Sequence, residues 1–419
     1  MGIPKTGRAR LATALSYLMW VMMISAASSQ GPLNPPTTSG PAVGPSPPLN
    51  GSGDPQAGMK TLGQIGPRVP ISESGAISDP GSYYLANNIA VTSGNGIVIQ
   101  ARNVSLDLNG FTISSTANPA GGTGILIDSG SDQVSIQNGF VRGEVTYSGG
   151  VSGSFSGSGF ANGIATAGIA NLQGIRVSDV TISGVSGIGI NFQTSELAET
   201  TYIVEGCIVR TAGGTGIRGA VVRDCIVREC GTLGVNAINV SHCSAHTTDS
   251  STSTSTAITG LLVFNSLATS PDQGIQSFRK ATNCRGIGTG QIGINGSVLL
   301  NCDGQSNSSI AIGGGLVTNC RGTSNFGSGI SAFNVTNSYG ENQAEFIFGG
   351  TTWGIDTDTA LNCYGRSTLG DGGLRASATA SFSTGRRNGG TAISADNPMA
   401  CTVDGTGTVI SPIATWGTP

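Results

Sequence analysis

The stretch that decides the fold is KATNCRGIGTGQIGINGSVLLNCDGQSNSSIAIGGGLVTNCRGTS, from Lys280 to Ser324. Asn-Cys closes its phrase three times, at Cys284, Cys302 and Cys320, with a stride of 18 residues. Working outward, the same stride links Cys207, Cys225 and Cys243, and the phrase returns as VFNS, VTNS and ALNC ending at Ser266, Ser338 and Cys363. Upstream of most of these positions stands a small residue followed by an aliphatic one, as in Gly216-Ile217, Gly293-Ile294, Ala311-Ile312 and Gly354-Ile355. A short unit repeated at a fixed period cannot bury an apolar face alone, so the units must stack as coils of a solenoid.

Aligned on the cysteine position, the coils resolve into columns. Three residues before it stand Val204, Val222, Val240, Val263, Ala281, Leu299, Val317, Val335 and Ala360, an aliphatic core column. Two residues after it, Val209, Val227 and Ala245 give way to Gly286, Gly304, Gly322, Gly340 and Gly365, small groups suited to a thin tube. An inward residue three back and an inward cysteine break strand alternation, so the chain must bend at the residue just before the cysteine. That residue is Asp224, His242, Asn265, Asn283, Asn301, Asn319, Asn337 or Asn362. Asparagine tolerates left-handed backbone, and stacked copies about 4.8 Å apart can bond amide to amide. An asparagine ladder is therefore expected.

Composition agrees. Gly is 67 of 419 residues, aromatics are 5% and charges 10%, too little bulk for a layered core and too apolar for disorder. Short alternating runs such as GIVIQ, NVSLDLNGFTIS and GIRVSDVTIS read as strands. No sustained period near 3.6 marks a helix. A net charge of −3 with scattered Lys and Arg offers no basic stripe, which argues against a nucleic-acid partner.

Residues 1–27 read as an export signal: Lys5, Arg8 and Arg10, then LATALSYLMWVMMI, then small residues Ser25-Ala26-Ala27. A membrane anchor is the competing reading, and no second apolar run long enough to span follows. Residues 28–58 are a Pro, Gly and Ser-rich linker. The β-helix domain with its N-terminal cap is expected over 59–419, in a protein that is secreted or held at the surface of a bacterial envelope.

The fold class is all-β, a parallel β-helix of 18-residue coils with internal Asn and Cys/Ser ladders. Eighteen is also three hexapeptides, the period of left-handed β-helices, but steps of six from Ile217 reach Arg223 and Glu229, which do not share an aliphatic interior. Parallel crossovers also favour the right hand. MKTLGQIGPRVPI, NVSLDLNGF at residues 103–111 and the Gly-Ile and Asn-Cys coils resemble the secreted bacterial right-handed parallel β-helix repeat proteins with a pectin-lyase-like fold. The resemblance implies the fold from about Met59 onward and supplies no catalytic set.

Exported proteins commonly pair their cysteines, and neighbours one coil apart are within disulfide reach. Nine is an odd number, however, and serine replaces cysteine at Ser266 and Ser338. Those facts favour a reduced internal stack over vertical disulfides. Cys230 and Cys401 lie outside the two runs, with Cys401 placed to close a last coil.

Chemistry must sit on outward columns, one and three residues after the cysteine position. They place Arg285, Asp303, Arg321, Tyr339, Glu341, Tyr364 and Arg366 on one face, over about 20 Å. Tyrosines under sugar faces and forked arginines suit a polysaccharide. The plain alternative is a solvated sheet whose Arg and Asp neighbours pair across strands. Trp353, with Phe346 and Phe348 in an enlarged coil, is expected at the rim. Under a lyase or glycoside hydrolase reading the catalytic candidates are Asp356, Asp358 and Asp371, and only there would calcium serve as cofactor. Asp128, Asp132 and Glu144 read as turn residues. His242 and His246 occupy different columns, so HCSAH is not read as a metal site. A non-catalytic carbohydrate-binding or extracellular structural role is favoured over the enzyme, because no carboxylate column repeats on adjacent coils. Oligomeric state is left open.

Overall fold

Each 18-residue phrase folds as two strands joined by one left-handed residue. In the computed structural model, Ile294–Leu300 leads through Asn301 and Cys302 into Asp303–Ser306, and Ile312–Thr318 leads through Asn319 and Cys320 into Arg321–Ser324. Successive coils pair in parallel register, Ile294 with Ile312 and Ile330, Asp303 with Arg321 and Tyr339. The structure describes residues 68–149, 153–168, 172–193, 201–248, 255–344, 352–369, 371–387 and 391–410. Among them, 35 strands join one hydrogen-bonded network, and no helix occurs. The expected signal and linker lie outside the described residues, as does the stretch from Met59 to Pro67; the first described strand is Arg68–Ile71.

The long strand of each coil turns a corner. In Ile294–Leu300 the buried residues are Ile294, Gly296 and Leu299, with Ser297 and Val298 both outside the core, so alternation slips by one and the coil gains a third side. Both aliphatic columns are sealed: Ile217, Ile258, Ile294, Ile312 and Ile330, and Val222, Val263, Leu299 and Val317, are all 0% exposed. The small columns meet across the tube. A Cβ on Gly304 would lie 2.4 Å from the Ala311 carbonyl oxygen, which is why this position loses its side chain in the later coils.

The asparagine ladder forms, but on the outside of the tube and not internally as expected: all six asparagines are exposed, because the left-handed bend turns the amide to solvent while the following Cys or Ser points inward. Asn265, Asn283, Asn301, Asn319, Asn337 and Asn362 all have φ between 47° and 54°. Asn283 donates to Asn265 at 3.0 Å, Asn301 to Asn283 at 3.1 Å and Asn362 to Asn337 at 2.9 Å. His242 extends the column, its ring nitrogen 3.1 Å from the Asn265 amide.

All nine cysteines are free thiols, eight of them buried. Each thiol in the stack points to the carbonyl two residues back, as Cys302 does to Leu300 at 3.2 Å, and Cys320 accepts the Cys302 N–H at 3.3 Å. Ser266 and Ser338 make the same two bonds, accepting from Cys243 and Cys320 N–H and donating to Phe264 and Thr336. Serine replaces cysteine because the position needs a small hydrogen-bonding group. Cys401 joins the column, 3.3 Å from the Ala380 carbonyl. Cys230 belongs to the next corner, brought there by one extra residue, Glu229, at φ 53°.

A second internal column is polar. Thr247 bonds Ser270, while Ser324 and Asn342 donate to the carbonyls of Ser309 and Gly327, each 15 residues earlier in the preceding coil. The early excursion forms an antiparallel hairpin, Thr146–Tyr147 with Phe155–Ser156.

Candidate functional site

The left-handed bend turns a corner between the two strands of each coil, and stacking extends that corner into a groove of about 1200 Å³. Its floor is the ladder from His242 through Asn362 to Phe382, and one wall is the first outward column from Ser244 and Leu267 through Arg285, Asp303, Arg321, Tyr339 and Tyr364 to Thr384. Five of the expected strip residues therefore line one groove.

The wall is internally ordered. Arg285 reaches Asp303 at 3.4 Å, the cross-strand pairing foreseen as the plain alternative. The Arg321 guanidinium stands 5.6 Å over the Tyr339 ring, which stacks on Tyr364 at 5.4 Å with 7° between planes. Each phenol donates to a carboxylate, Tyr339 to Glu341 at 3.0 Å and Tyr364 to Asp404 at 2.8 Å. Burial, and then the neighbouring carboxylate, pushes both phenols above their ordinary range, so they stay neutral. Arg366 bonds Glu341 at 3.1 Å, and Arg386 pairs with Asp404 at 3.5 Å. Glu341 belongs to an outward column, yet it is 5% exposed because its neighbours cover it.

Trp353 departs from expectation. It is 7% exposed, pairs with Gly372 and lies under the Arg375 guanidinium at 5.7 Å, away from the groove lining. The bulk of the indole drives it inward at a turn where Gly372 leaves room, since a Cβ there would meet its ring at 2.1 Å. Phe346 and Phe348 lie outside the described residues.

Asp356 and Asp358 share a smaller cavity of about 450 Å³ with Phe333, Arg375 and Ser377. Arg375 grips Asp356 with two bonds, 2.7 and 2.6 Å, and Ser377 donates to Asp358. Asp371 is not with them; it accepts the Thr352 N–H at 2.6 Å. Asp128 and Asp132 accept backbone N–H groups, and Glu144 accepts from Ser158. His242 sits in the ladder and His246 on the second outward column. Among the described residues no three His, Cys, Asp or Glu side chains converge as a metal set.

Sequence reading missed Phe382 and Asp404. Phe382 replaces asparagine in the coil Ala380-Ser381-Phe382-Ser383-Thr384-Gly385, where Ala380, Ser383 and Gly385 still match the core, cysteine and glycine columns. Those three matches were the available signal.

Among the described residues no helix is long and apolar enough to cross a membrane. No family model and no curated protein matches the chain. Solved structures similar to the chain include two of tailspike proteins. One is the enzymatically active domain of tailspike protein 2 of bacteriophage CBA120, 14% identical with a TM-score of 0.30, covering 74% of this chain and 44% of that one. The other is the full-length tailspike protein 2 of an Escherichia coli O157:H7 bacteriophage, 12% identical with a TM-score of 0.32, covering 76% and 39%. The chain spans less than half the length of either. By its own strand register, this chain is a parallel β-helix repeat protein.

Proposed function

We propose that this is a secreted or surface-held β-helix protein that binds a polysaccharide along the ladder groove without cleaving it. The observation that carries the reading is the Arg321–Tyr339–Tyr364 stack on the wall of a groove floored by asparagine amides. Stacked rings offer apolar faces to sugar C–H surfaces, and ladder amides and arginines offer donors and acceptors to hydroxyls. A groove along the solenoid axis suits an extended chain more than a compact ligand.

The test is binding to a panel of neutral and acidic glycans. Tyr339→Ala and Tyr364→Ala should each weaken the best ligand about fivefold, by the worth of one aromatic contact. Unchanged affinity in both variants, or no glycan bound by the wild type, refutes the reading.

The alternative of a lyase or hydrolase draws on one observation, that Asp356 and Asp358 line the same small cavity. The Arg375 clamp on Asp356 and the separate position of Asp371 weigh against it. Unsaturated or reducing-end products from a polyuronide, lost in Asp356→Ala, would establish it.

A further inference from the structure

Stacking creates a basic stripe from arginines that are scattered in sequence. Arg142 pairs with Ser183, Ser183 with Arg210 and Arg210 with Arg228, so three guanidinium positions fall within four adjacent coils, about 14 Å at the inter-strand spacing. His246 follows on the second outward column. All three arginines are exposed. Beside them runs the first outward column, here mostly apolar: Phe140, Ile208, Ile226 and Leu267, with Thr181 and Ser244 between them. Phe140 is 45% exposed, Ile226 41% and Leu267 42%.

Among the described residues, no carboxylate is paired with the arginines of this stripe. Downstream on the same sheet Arg285, Arg366 and Arg386 each hold a carboxylate. Upstream, among the described residues, Arg142, Arg210 and Arg228 form no ion pair, and Arg228 donates only to the Ser244 hydroxyl at 3.4 Å. The adjoining carboxylate, Glu229, accepts from the Thr211 hydroxyl at 2.8 Å. Asp179 and Asp224 occupy left-handed positions on the far side of the apolar column. The flank is closed by the hairpin: Tyr147 donates to the Thr248 carbonyl at 3.2 Å, and Phe155 Cβ lies 3.3 Å from where a side chain on Gly213 would begin.

We infer that this stripe binds an acidic polysaccharide, a linear sugar polymer bearing carboxylate or sulfate groups. Its sugar faces rest on Phe140, Ile208 and Ile226, and its acidic groups meet Arg142, Arg210 and Arg228. The inference rests on the reading of this sheet as a glycan-binding face and names a second contact region upstream of the groove. A straight file of cations beside a straight file of apolar groups matches a polymer with one apolar and one charged edge. A single-stranded nucleic acid requires a series of aromatic platforms, and the stripe holds one, Phe140. The hairpin flank favours a ligand lying along the axis over a flat bilayer.

The experiment compares wild type with the Arg210→Ser/Arg228→Ser double variant, both full chain, against polygalacturonate, dextran sulfate and a neutral glycan panel at low and high salt. Expected is a loss of about tenfold or more for both acidic polymers, a flatter salt dependence and unchanged neutral binding. Equal affinity in the double variant overturns the proposal, as does tighter wild-type binding to single-stranded DNA or phosphatidylserine vesicles. The two readings fail separately. Neutral glycans bound through Tyr339 and Tyr364 with no acidic polymer bound would remove the stripe and leave the groove. Acidic binding lost in the arginine variant but intact in Tyr339→Ala/Tyr364→Ala, with no neutral glycan bound, would do the reverse.

Discussion

Asn362 and Phe382 occupy the same left-handed position in consecutive coils, at φ 51° and 48°, and the ladder that reaches Asn362 stops at the phenylalanine ring. A bulky residue in this backbone region is strained by about 1 kcal/mol or more. Phe382 is nevertheless 67% exposed and lines the groove, so core packing does not explain it.

Phe382→Asn should therefore raise stability by about 1 kcal/mol, by relieving the backbone and adding one rung, while weakening glycan binding in the groove. Denaturant midpoints and binding isotherms on the same variant check both halves. A variant that is no more stable than wild type contradicts the strain argument.

The ladder itself can be dissected at Asn301. Asn301→Gly keeps the left-handed backbone and loses the bond to Asn283, an expected cost of about 1 kcal/mol. Asn301→Ala loses the bond and also strains the backbone, for about 1 to 2 kcal/mol more. Equal midpoints for the two variants in urea unfolding would show that φ at this bend is of no consequence.

Native thiols should resist alkylation. Burial pushes the Cys230 thiol up to about 12 and holds Cys363 above its ordinary range, and only Cys401 is partly exposed. Mass spectrometry after iodoacetamide should find about one adduct on the native chain, at Cys401, and nine after denaturation. Rapid native labelling of Cys302 or Cys320 would mean that the coils open locally.

Acid should destabilise the domain through two carboxylates. Burial alone would raise Asp107 and Glu205, but bonds from Arg68, Asn109 and Asn138 to the first, and from Arg223 and Arg176 to the second, outweigh it and lower both. Their contribution is complete above the ordinary values of 3.8 and 4.5 and is lost as pH falls through the depressed ones. Thermal midpoints should drop over that window, less steeply in Glu205→Gln than in wild type.

The coil, its two strands and its bend were legible because 18-residue spacing repeats the same physical demand in every turn. Asn319 must turn left-handed for the same reason as Asn301, and the letters show it. The site was legible in part, since Arg285, Arg321, Tyr339 and Tyr364 follow from column membership. Trp353 misled because an aromatic near an irregular coil reads as a rim, whereas burial is set by the space Gly372 leaves. Glu341 shares a column with exposed residues, and only the positions of Tyr339 and Arg366 cover it.

What the chain's letters determined alone is the repeat, the register and the identity of each column, because periodicity is a local property of the string. What only tertiary structure decided is which charges remain unpaired. Arg142 and Arg210 are distant in sequence and become near neighbours through Ser183, while Arg366 is neutralised by Glu341 one coil below. Charge pairing depends on distances of a few ångströms between coils, and excursions such as the hairpin shift the count of residues between them, so no fixed spacing could have revealed it.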